Sequence, residues 1–191
     1  IKSIDGSLVG KVVCAAGSWN KAFYENAFDG GDNKKAFDPC FRGEHCWVGL
    51  MTEEPYALTS VKVRPKRGAY KNLEGCLIQG SLDGRTWVTL TQLTAEDVPE
   101  KQDWVEKTIT DVGGYTYFRY ITNVLSHGDV ADIAFYGAPA AAATNIPAAE
   151  KYPIATYTTF DGELIYTGLR AESIDGSLSG EIFGYGSIWF L

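Results

Sequence analysis

“GCLIQGSLDGRTWVTLTQL” (residues 75–93) predicts a β-hairpin and sets the fold class of this 191-residue chain. Two runs rich in β-branched and aromatic residues flank “LDGR”, in which the Asp-Gly pair is a strong signal for a tight turn. We therefore expect two antiparallel strands joined by a short connection at this point of the chain.

Further short strands are predicted on both sides of this hairpin. In “EEPYALTSVKVRP” (residues 53–65) a turn precedes a strand in which Val61 and Val63 alternate with Lys62 and Arg64, the period of a half-buried strand. The other predicted strands are “LVGKVVCAA” (8–16), “CWVGLM” (46–51), “WVEKTITDV” (104–112), “YTYFRYITNVL” (115–125) and “VADIAFYG” (130–137). Many short strands separated by turns, without a helical period, predict an all-β sandwich.

The composition narrows the class of protein. Apolar residues make up 45% of the chain, which is typical of a globular core, and 13% aromatic residues with 21 glycines favour a β-sandwich or barrel. The net charge of -7 and the isoelectric point near 4.8 argue against a partner that is a nucleic acid or an anionic membrane. The sequence contains no run of about 18 apolar residues, so no membrane-spanning segment is expected.

The four cysteines are interpreted as two disulfides. Cys40 and Cys46 bracket the short loop “CFRGEHC” and are expected to pair, which leaves Cys14 with Cys76 by elimination. Zinc is the alternative for an even set of cysteines. The chain has no C-x-x-C motif, however, and it has only 2 histidines. Disulfides imply an oxidising compartment, so the protein is expected to be extracellular, either secreted or at the cell surface.

One hexapeptide occurs twice in the chain. “SIDGSL” occupies residues 3–8 and returns at 173–178, a shift of 170 positions that also places Trp19 on Trp189. A repeat of this length predicts a tandem array whose next copy begins within the chain. The alternative is that the last segment docks on the first domain as additional strands.

The predicted organisation has three parts. A β-sandwich domain at residues 1–137 is followed by an Ala/Pro-rich linker at 138–153, in which Pro139 and Pro147 confine any helix to a short span. A β-rich segment at 154–191 has too few residues to bury a core of its own. It is interpreted as the start of a next repeat or as strands that dock on a neighbouring copy.

Six phrases occur in an order that resembles the discoidin, or coagulation-factor type C, superfamily of galactose-binding-like domains. They are “GSWNKAFYENAFDGGDNKKAFD”, “WVGL”, “LTSVKVRP”, “IQGSLDGRTWVTL”, “YFRYI” and “VADIAFYG”. Within the superfamily the sequence is most similar to carbohydrate-binding modules of family 32. The resemblance covers residues 8–137 and implies a jelly-roll β-sandwich with ligand-binding loops at one end.

“AFDGGDN” (residues 27–33) places two carboxylates among glycines, which suits the oxygen-rich coordination of Ca²⁺; a plain Asp/Asn/Gly turn is the alternative. In the resembled family this loop holds a structural calcium ion, completed by an acidic residue in the last strand. The implied ligands are Asp29 or Asp32, Asp132, and the carbonyl oxygens of Ala27, Lys34 and Ala131. Lys34 or Lys35 stands where the family has threonine, so a lysine that neutralises the carboxylates is the alternative to the ion.

The loop “RPKRGAYKN” (residues 64–72) is the predicted glycan contact. Sugar sites combine an aromatic face with a few planar or charged hydrogen-bond donors, and the resembled family carries a basic residue and an asparagine on this loop. A solvated basic loop is the alternative, and Trp19 is equally suited to plug the bottom of the barrel. The basic cluster suits an acidic glycan, while the family implies a galactose-like one. The candidate residues are Trp19, His45, Lys66, Arg67, Tyr70, Asn72 and His127.

Two functional hypotheses follow. The first is a non-catalytic glycan-binding and adhesion module of an extracellular multidomain or repeat protein. The second is a structural repeat of an extracellular fibre or surface array, joined to further copies of itself through the C-terminal β segment. The sequence contains no G-x-S-x-G, H-E-x-x-H or Gly-rich phosphate motif, so no enzymatic activity is expected.

Overall fold

The chain divides into two units, Ile1–Asn145 and Ile146–Leu191. The computed structural model describes residues 3–15, 21–31, 36–37, 46–122 and 127–143, and the strands at 155–159, 162–167, 170–173 and 179–181. Strands dominate both units, in agreement with the predicted all-β class. Within the described residues, no helix is long and apolar enough to cross a membrane.

Seven antiparallel strands lie within the described residues of the first unit. The strand order is β1-β2-β6-β3-β4, and β5 and β7 both pair with β2. Short 3₁₀ segments at Lys21–Phe28, Tyr70–Leu73 and Ala95–Asp97 occur between strands. The strands are β1 (Lys11–Cys14), β2 (Trp47–Pro65), β3 (Leu77–Ser81), β4 (Val88–Gln92), β5 (Val105–Thr108), β6 (Tyr115–Ile121) and β7 (Val130–Pro139).

The 19-residue strand β2 takes part in both layers of the jelly-roll sandwich. Its first part pairs with β1 and β6, and its second part pairs with β5 and β7. The register with β6 shifts between Met51 and Tyr56, and Pro55, which has no amide to donate, lies in this bulge. The sequence predicted two strands separated by a turn here; the correction is one continuous strand that bends at a bulge.

The core lies between the two layers. Phe118 of β6 and Phe135 of β7 meet across it, with ring centroids 5.9 Å apart. Val61 and Val63 are fully buried whereas Lys62 is partly exposed, which confirms the predicted alternation in β2. Because apolar side chains fill this interior, the strand ends and loops are the parts of the domain that can offer binding sites.

The hairpin predicted at residues 75–93 is formed by β3 and β4. Its turn is held by Asp83, whose Oδ1 accepts hydrogen bonds from the amides of Arg85 at 2.8 Å and Thr86 at 2.7 Å. Gly84 has a φ of 70°, in the left-handed region that glycine adopts without strain. The Asp-Gly signal in the sequence therefore identified the turn correctly.

The first copy of the repeated hexapeptide forms a turn on β7. The Ser7 amide donates to the Ile4 carbonyl at 2.9 Å, and the Tyr136 hydroxyl of β7 donates to the same carbonyl at 2.9 Å. The Leu8 amide then donates to the Phe135 carbonyl at 2.8 Å. This segment is thus fastened to the last strand of the sandwich, while most of the second copy, residues 174–178, lies outside the described residues.

Cys14 and Cys76, which both lie within the described residues, form no disulfide with each other. The predicted Cys14–Cys76 bridge is wrong because Cys14 ends β1 and Cys76 precedes β3. The order β1-β2-β6-β3 puts three strand spacings, about 14 Å, between those strands, whereas a disulfide needs Cα atoms within about 7 Å. Burial raises the pKa of the Cys14 thiol to about 11. Cys40 lies outside the described residues, so the Cys40–Cys46 pairing stays a prediction.

The predicted linker begins inside the sandwich. Strand β7 continues to Pro139, the Ala140 amide donates to the Pro55 carbonyl at 3.0 Å, and the Ala143 amide donates to the Gly114 carbonyl at 2.8 Å. These backbone bonds anchor residues 138–143, which the sequence had placed in the linker, because an unpaired sheet edge is available to them. The boundaries at 153 and 154 stay a prediction.

The second unit contains a four-stranded antiparallel meander. The strands are β8 (Ala155–Thr159), β9 (Gly162–Thr167), β10 (Arg170–Ser173) and β11 (Ser179–Glu181), in the order β11-β10-β9-β8. The predicted β-rich character of the segment after residue 154 is confirmed.

Candidate functional site

Two loops meet where β2 ends and β7 begins. The Lys66 amide donates to the Asp129 carbonyl at 3.3 Å, and Lys66 Nζ lies 3.7 Å from Asp129 Oδ1. Asn72 Nδ2 donates to Asp129 Oδ2. The Asp129 side chain is 8% exposed and that of Lys66 is 35% exposed. A carboxylate that is nearly buried therefore orients two of the predicted donors, Lys66 and Asn72, at the surface.

A tight local fold shapes the loop that carries these donors. Gly68 has a φ of 81°, and the amides of Ala69 and Asn72 close successive turns on the carbonyls of Lys66 and Ala69, at 3.0 Å each. The 3₁₀ segment Tyr70–Leu73 follows. The result is an open depression of ≈ 330 Å³ lined by residues 68–72, with Tyr70 and Asn72 on its wall.

The remaining predicted ligand residues lie on the same two loops or outside the described residues. Arg67 is exposed beside Lys66, and His127 is partly buried two residues before Asp129. The structure therefore brings Lys66, Arg67, Tyr70, Asn72 and His127 onto two loops joined by Asp129. Trp19 and His45 lie outside the described residues.

A second carboxylate cluster lies further along the same pair of strands. Asp132 Oδ2 accepts a hydrogen bond from Arg64 Nη2 at 3.2 Å, and their side chains are 0% and 16% exposed. The Arg64 guanidinium also lies 4.9 Å from the Trp104 ring centroid. Asp132 Oδ1 is buried and has no hydrogen-bond partner among the described residues. The Asp132 carboxylate is therefore sealed from water, and the Arg64 side chain is largely buried beside it.

The loop that follows the 3₁₀ segment Lys21–Phe28 reaches this cluster. Asp29 Oδ1 accepts a hydrogen bond from the Gly31 amide at 2.6 Å. Burial raises the pKa of Asp132 to about 7; the Gly30 amide and the Arg64 guanidinium oppose that rise, and the Asp29 carboxylate adds to it. The Asp29 carboxylate is thus close enough to Asp132 for its charge to raise the pKa of Asp132.

The other predicted calcium ligands are divided between described and undescribed residues. Ala27 and Ala131 are both fully buried, and backbone bonds between Phe37 and Val130 at 2.9 and 3.1 Å hold the loop against β7. Asp32 and Lys34 lie outside the described residues. In the described part of the chain, no three His, Cys, Asp or Glu side chains form a cluster. The described residues thus offer one buried carboxylate oxygen without a partner among them and a second acidic group close by.

Sequence reasoning missed the partner of each cluster. Asp129 had a weak signal in the sequence, because in “HGDV” it is the residue directly before β7. A single acidic residue at the start of a strand has no specific meaning in a sequence. Arg64 was assigned only to the exposed side of β2. Both pairings join residues that are far apart in the chain, by 57 positions for Asn72–Asp129 and 68 for Arg64–Asp132.

Comparison with known proteins identifies the fold family. No protein-family profile matches the chain, and no curated protein sequence matches it significantly. Among solved structures, the carbohydrate-binding module CBM62 of Clostridium thermocellum Xyl5A is 30% identical, with a TM-score of 0.62, over 70% of this chain and 98% of the module.

Modules of family 32 share the fold at lower identity. CBM32-1 from a family 31 glycoside hydrolase of Clostridium perfringens is 15% identical, with a TM-score of 0.53, over 66% of this chain and 92% of that module. The CBM32 of AlyQ, solved in complex with 4,5-unsaturated mannuronic acid, is 14% identical, with a TM-score of 0.52, over 67% of this chain and 95% of that module. Family 62 is thus more similar to this sequence than these family 32 modules are. The first unit of the chain belongs to the discoidin-like, galactose-binding-like superfamily of carbohydrate-binding modules.

Proposed function

We propose that the first unit is a non-catalytic glycan-binding module whose site is the depression beside Lys66 and Asn72. The observation that carries the proposal is that Asp129 holds the Lys66 and Asn72 donors on the loop whose depression Tyr70 helps to line. A sugar presents hydroxyl groups around an apolar ring face, so it is matched by polar donors beside an aromatic side chain. The carbohydrate-binding modules of the same superfamily support this assignment.

The geometry at Asp129 supports binding rather than catalysis. Its two carboxylate oxygens are engaged by Asn72 and Lys66, which leaves this group in a positioning role. Glycoside hydrolysis uses two carboxyl groups on either side of the scissile bond, one of which gives up a proton. Asp129 is held by cationic and amide donors instead.

The charge around the depression favours an acidic glycan. Lys66, Arg67 and Lys71 bring three cationic side chains to the loop, against the carboxylate of Asp129, on a protein whose net charge is -7. A uronic acid oligomer would place its carboxylate near these cations and its hydroxyls on Lys66 and Asn72.

A glycan array tests both levels of the proposal. We expect the full chain to bind galacturonic acid oligomers more strongly than neutral galactosides, and to lose this preference at high salt. Binding to neutral galactosides alone would contradict the acidic class but keep glycan binding. Binding to neither class, nor to any other glycan on the array, would contradict the proposed function.

A calcium ion is proposed at Asp29 and Asp132. The support is the buried, unpartnered Oδ1 of Asp132 beside a second carboxylate, which suits a hard cation that takes carboxylate and carbonyl oxygens. The carbonyls of Ala27 and Ala131 and the residues Asp32 and Lys34 stay part of this proposal. The ion would fix the loop after Phe28 against β7 and would take no part in ligand chemistry.

The second candidate function is a structural repeat in an extracellular array. It is favoured by the repeated hexapeptide and by a second unit that forms its own four-stranded sheet. An extracellular location, either secreted or at the cell surface, belongs to both proposals. Size measurement of the full chain over a range of concentrations tests self-association, and a monomer at all concentrations would contradict the array.

A further inference from the structure

A buried hydroxyl lies directly beneath the proposed site. Tyr120 of β6 is fully buried, and its hydroxyl donates to the Gly128 carbonyl at 3.0 Å. Gly128 is the residue before Asp129 and has a φ of 63°. The Tyr120 hydroxyl therefore fixes the backbone from which the Asp129 side chain projects.

A buried thiol holds the other loop in the same way. Cys76 is fully buried, and its Sγ donates to the Asn72 carbonyl at 3.3 Å. Asn72 is the residue whose side-chain amide donates to Asp129. The Cys76 thiol thus fixes the backbone of the second residue in the cluster.

The two anchors lie close together. Burial raises the pKa of the Tyr120 hydroxyl well above its usual value, and the neighbouring Cys76 side chain adds to that rise. A Cβ added to Gly128 would lie 3.0 Å from Cys76 Sγ and 3.1 Å from the Tyr120 hydroxyl, so the loop packs tightly on both groups. Two loops that approach each other at the surface are therefore also tied to one buried pair below.

We propose that Cys76 and Tyr120 are positioning residues that set the relative placement of Asn72 and Asp129, and with it the glycan site. Both side chains fill the core, and phenylalanine and serine would fill it nearly as well because their shapes are close to those of tyrosine and cysteine. What the hydroxyl and thiol add is two directed hydrogen bonds to loop carbonyls. This inference rests on the glycan-binding function proposed above.

Amide hydrogen exchange of the full chain tests the anchors without a ligand. In Tyr120→Phe we expect the Lys66 amide, which donates to the Asp129 carbonyl, to exchange about tenfold faster, because a lost buried hydrogen bond has about that effect on a local equilibrium. Affinity for a galacturonic acid oligomer, measured by calorimetry, should fall by a similar factor.

Tyr136→Phe is the matched control. It also removes a tyrosine hydroxyl that donates to a backbone carbonyl, that of Ile4, away from the glycan loops. It should speed exchange of the Leu8 amide, which binds the Phe135 carbonyl, and leave Lys66 exchange and glycan affinity unchanged. Cys76→Ser, which keeps a donor, should retain more affinity than Cys76→Ala.

The outcomes separate the anchors from the function. Unchanged Lys66 exchange in Tyr120→Phe, or equal acceleration in Tyr136→Phe, would overturn the positioning role. Faster Lys66 exchange with undiminished affinity would overturn its link to binding. If the unmodified chain binds no glycan, the proposed function fails, and the exchange data still decide whether the anchors hold the loops.

Discussion

Two acid–base pairs lie a few residues apart along the same two strands, and they differ in access to water. Arg64 and Asp132 are largely enclosed, and one Asp132 oxygen has no partner within the part of the chain that the structure describes. Lys66 and Asp129 lie at the strand ends, where Lys66 is 35% exposed and Asn72 engages the other carboxylate oxygen. Along one strand pair, burial thus separates an enclosed carboxylate, Asp132, from a carboxylate, Asp129, that holds polar donors at the surface.

The largest expected difference is in stability. Asp132→Ala leaves the Arg64 guanidinium enclosed without its partner and should lower the free energy of unfolding by about 3–5 kcal/mol. Asp129→Ala leaves Lys66 able to reach water and should lower it by about 1–2 kcal/mol. Urea denaturation of both variants measures these changes in the free energy of unfolding. Equal losses would show that the two pairs do not differ in the way that their burial suggests.

The next largest effect should be stabilisation by calcium, which should depend on the Asp29–Asp132 cluster and not on the Asp129 cluster. At a hundredfold excess over its dissociation constant, Ca²⁺ should stabilise the chain by about 2.7 kcal/mol, which raises Tm by roughly 5–10 °C in a protein of this size. Asp29→Asn should abolish this gain, while the matched Asp129→Asn should keep it. Thermal unfolding with calcium and with chelator provides the test. An unmodified chain whose Tm is the same in both would contradict the proposed ion.

Glycan affinity should show the opposite pattern. Asn72→Ala removes one donor and the partner of Asp129, and should weaken binding to a galacturonic acid oligomer about tenfold, or about 1.4 kcal/mol. Asp29→Asn, measured in the presence of calcium, should bind with the affinity of the unmodified chain. Isothermal calorimetry compares them; a similar loss in both variants would mean that the clusters are not separate in function.

The smallest effect is the pH dependence of the metal-free chain. Because burial raises the pKa of Asp132 to about 7, well above the ordinary value of 3.8, the folded state holds a proton that the unfolded state has lost. Stability from this group is present below the ordinary pKa and is lost as pH rises through about 7. In chelator, raising the pH from 6 to 7 should lower the free energy of unfolding by about 1 kcal/mol.

Asp132→Asn is the control for this measurement, because it cannot titrate. The difference between the two pH profiles isolates the contribution of Asp132 from that of other groups. Parallel profiles would contradict the raised pKa.

Much of the fold was predictable from neighbouring residues alone. The Asp83–Gly84 turn and the alternation of Val61 and Val63 with Lys62 are local patterns, and each was confirmed. The six ordered phrases led to the superfamily that the comparison with solved structures identified. The loop residues Lys66 and Asn72 were selected by that resemblance, and the structure places them together.

The errors arose where distant segments meet. The Cys14–Cys76 pairing was inferred by elimination, and strand order places the two segments apart. The break expected in β2 was instead a bulge, because β1, β6 and β7 pair along its length. The predicted linker began too early, since Ala140 and Ala143 found backbone partners in the sandwich.

The sequence by itself determined that this chain forms a β-sandwich, with a basic stretch at residues 64–72 and an aspartate- and glycine-rich stretch at residues 27–33. Only the tertiary structure decided that Asp129 orients the donors of one loop and that Arg64 occupies one oxygen of Asp132. The physical reason is that strands and turns follow from side chains adjacent in the chain, whereas these contacts depend on strand register between segments 57 and 68 residues apart.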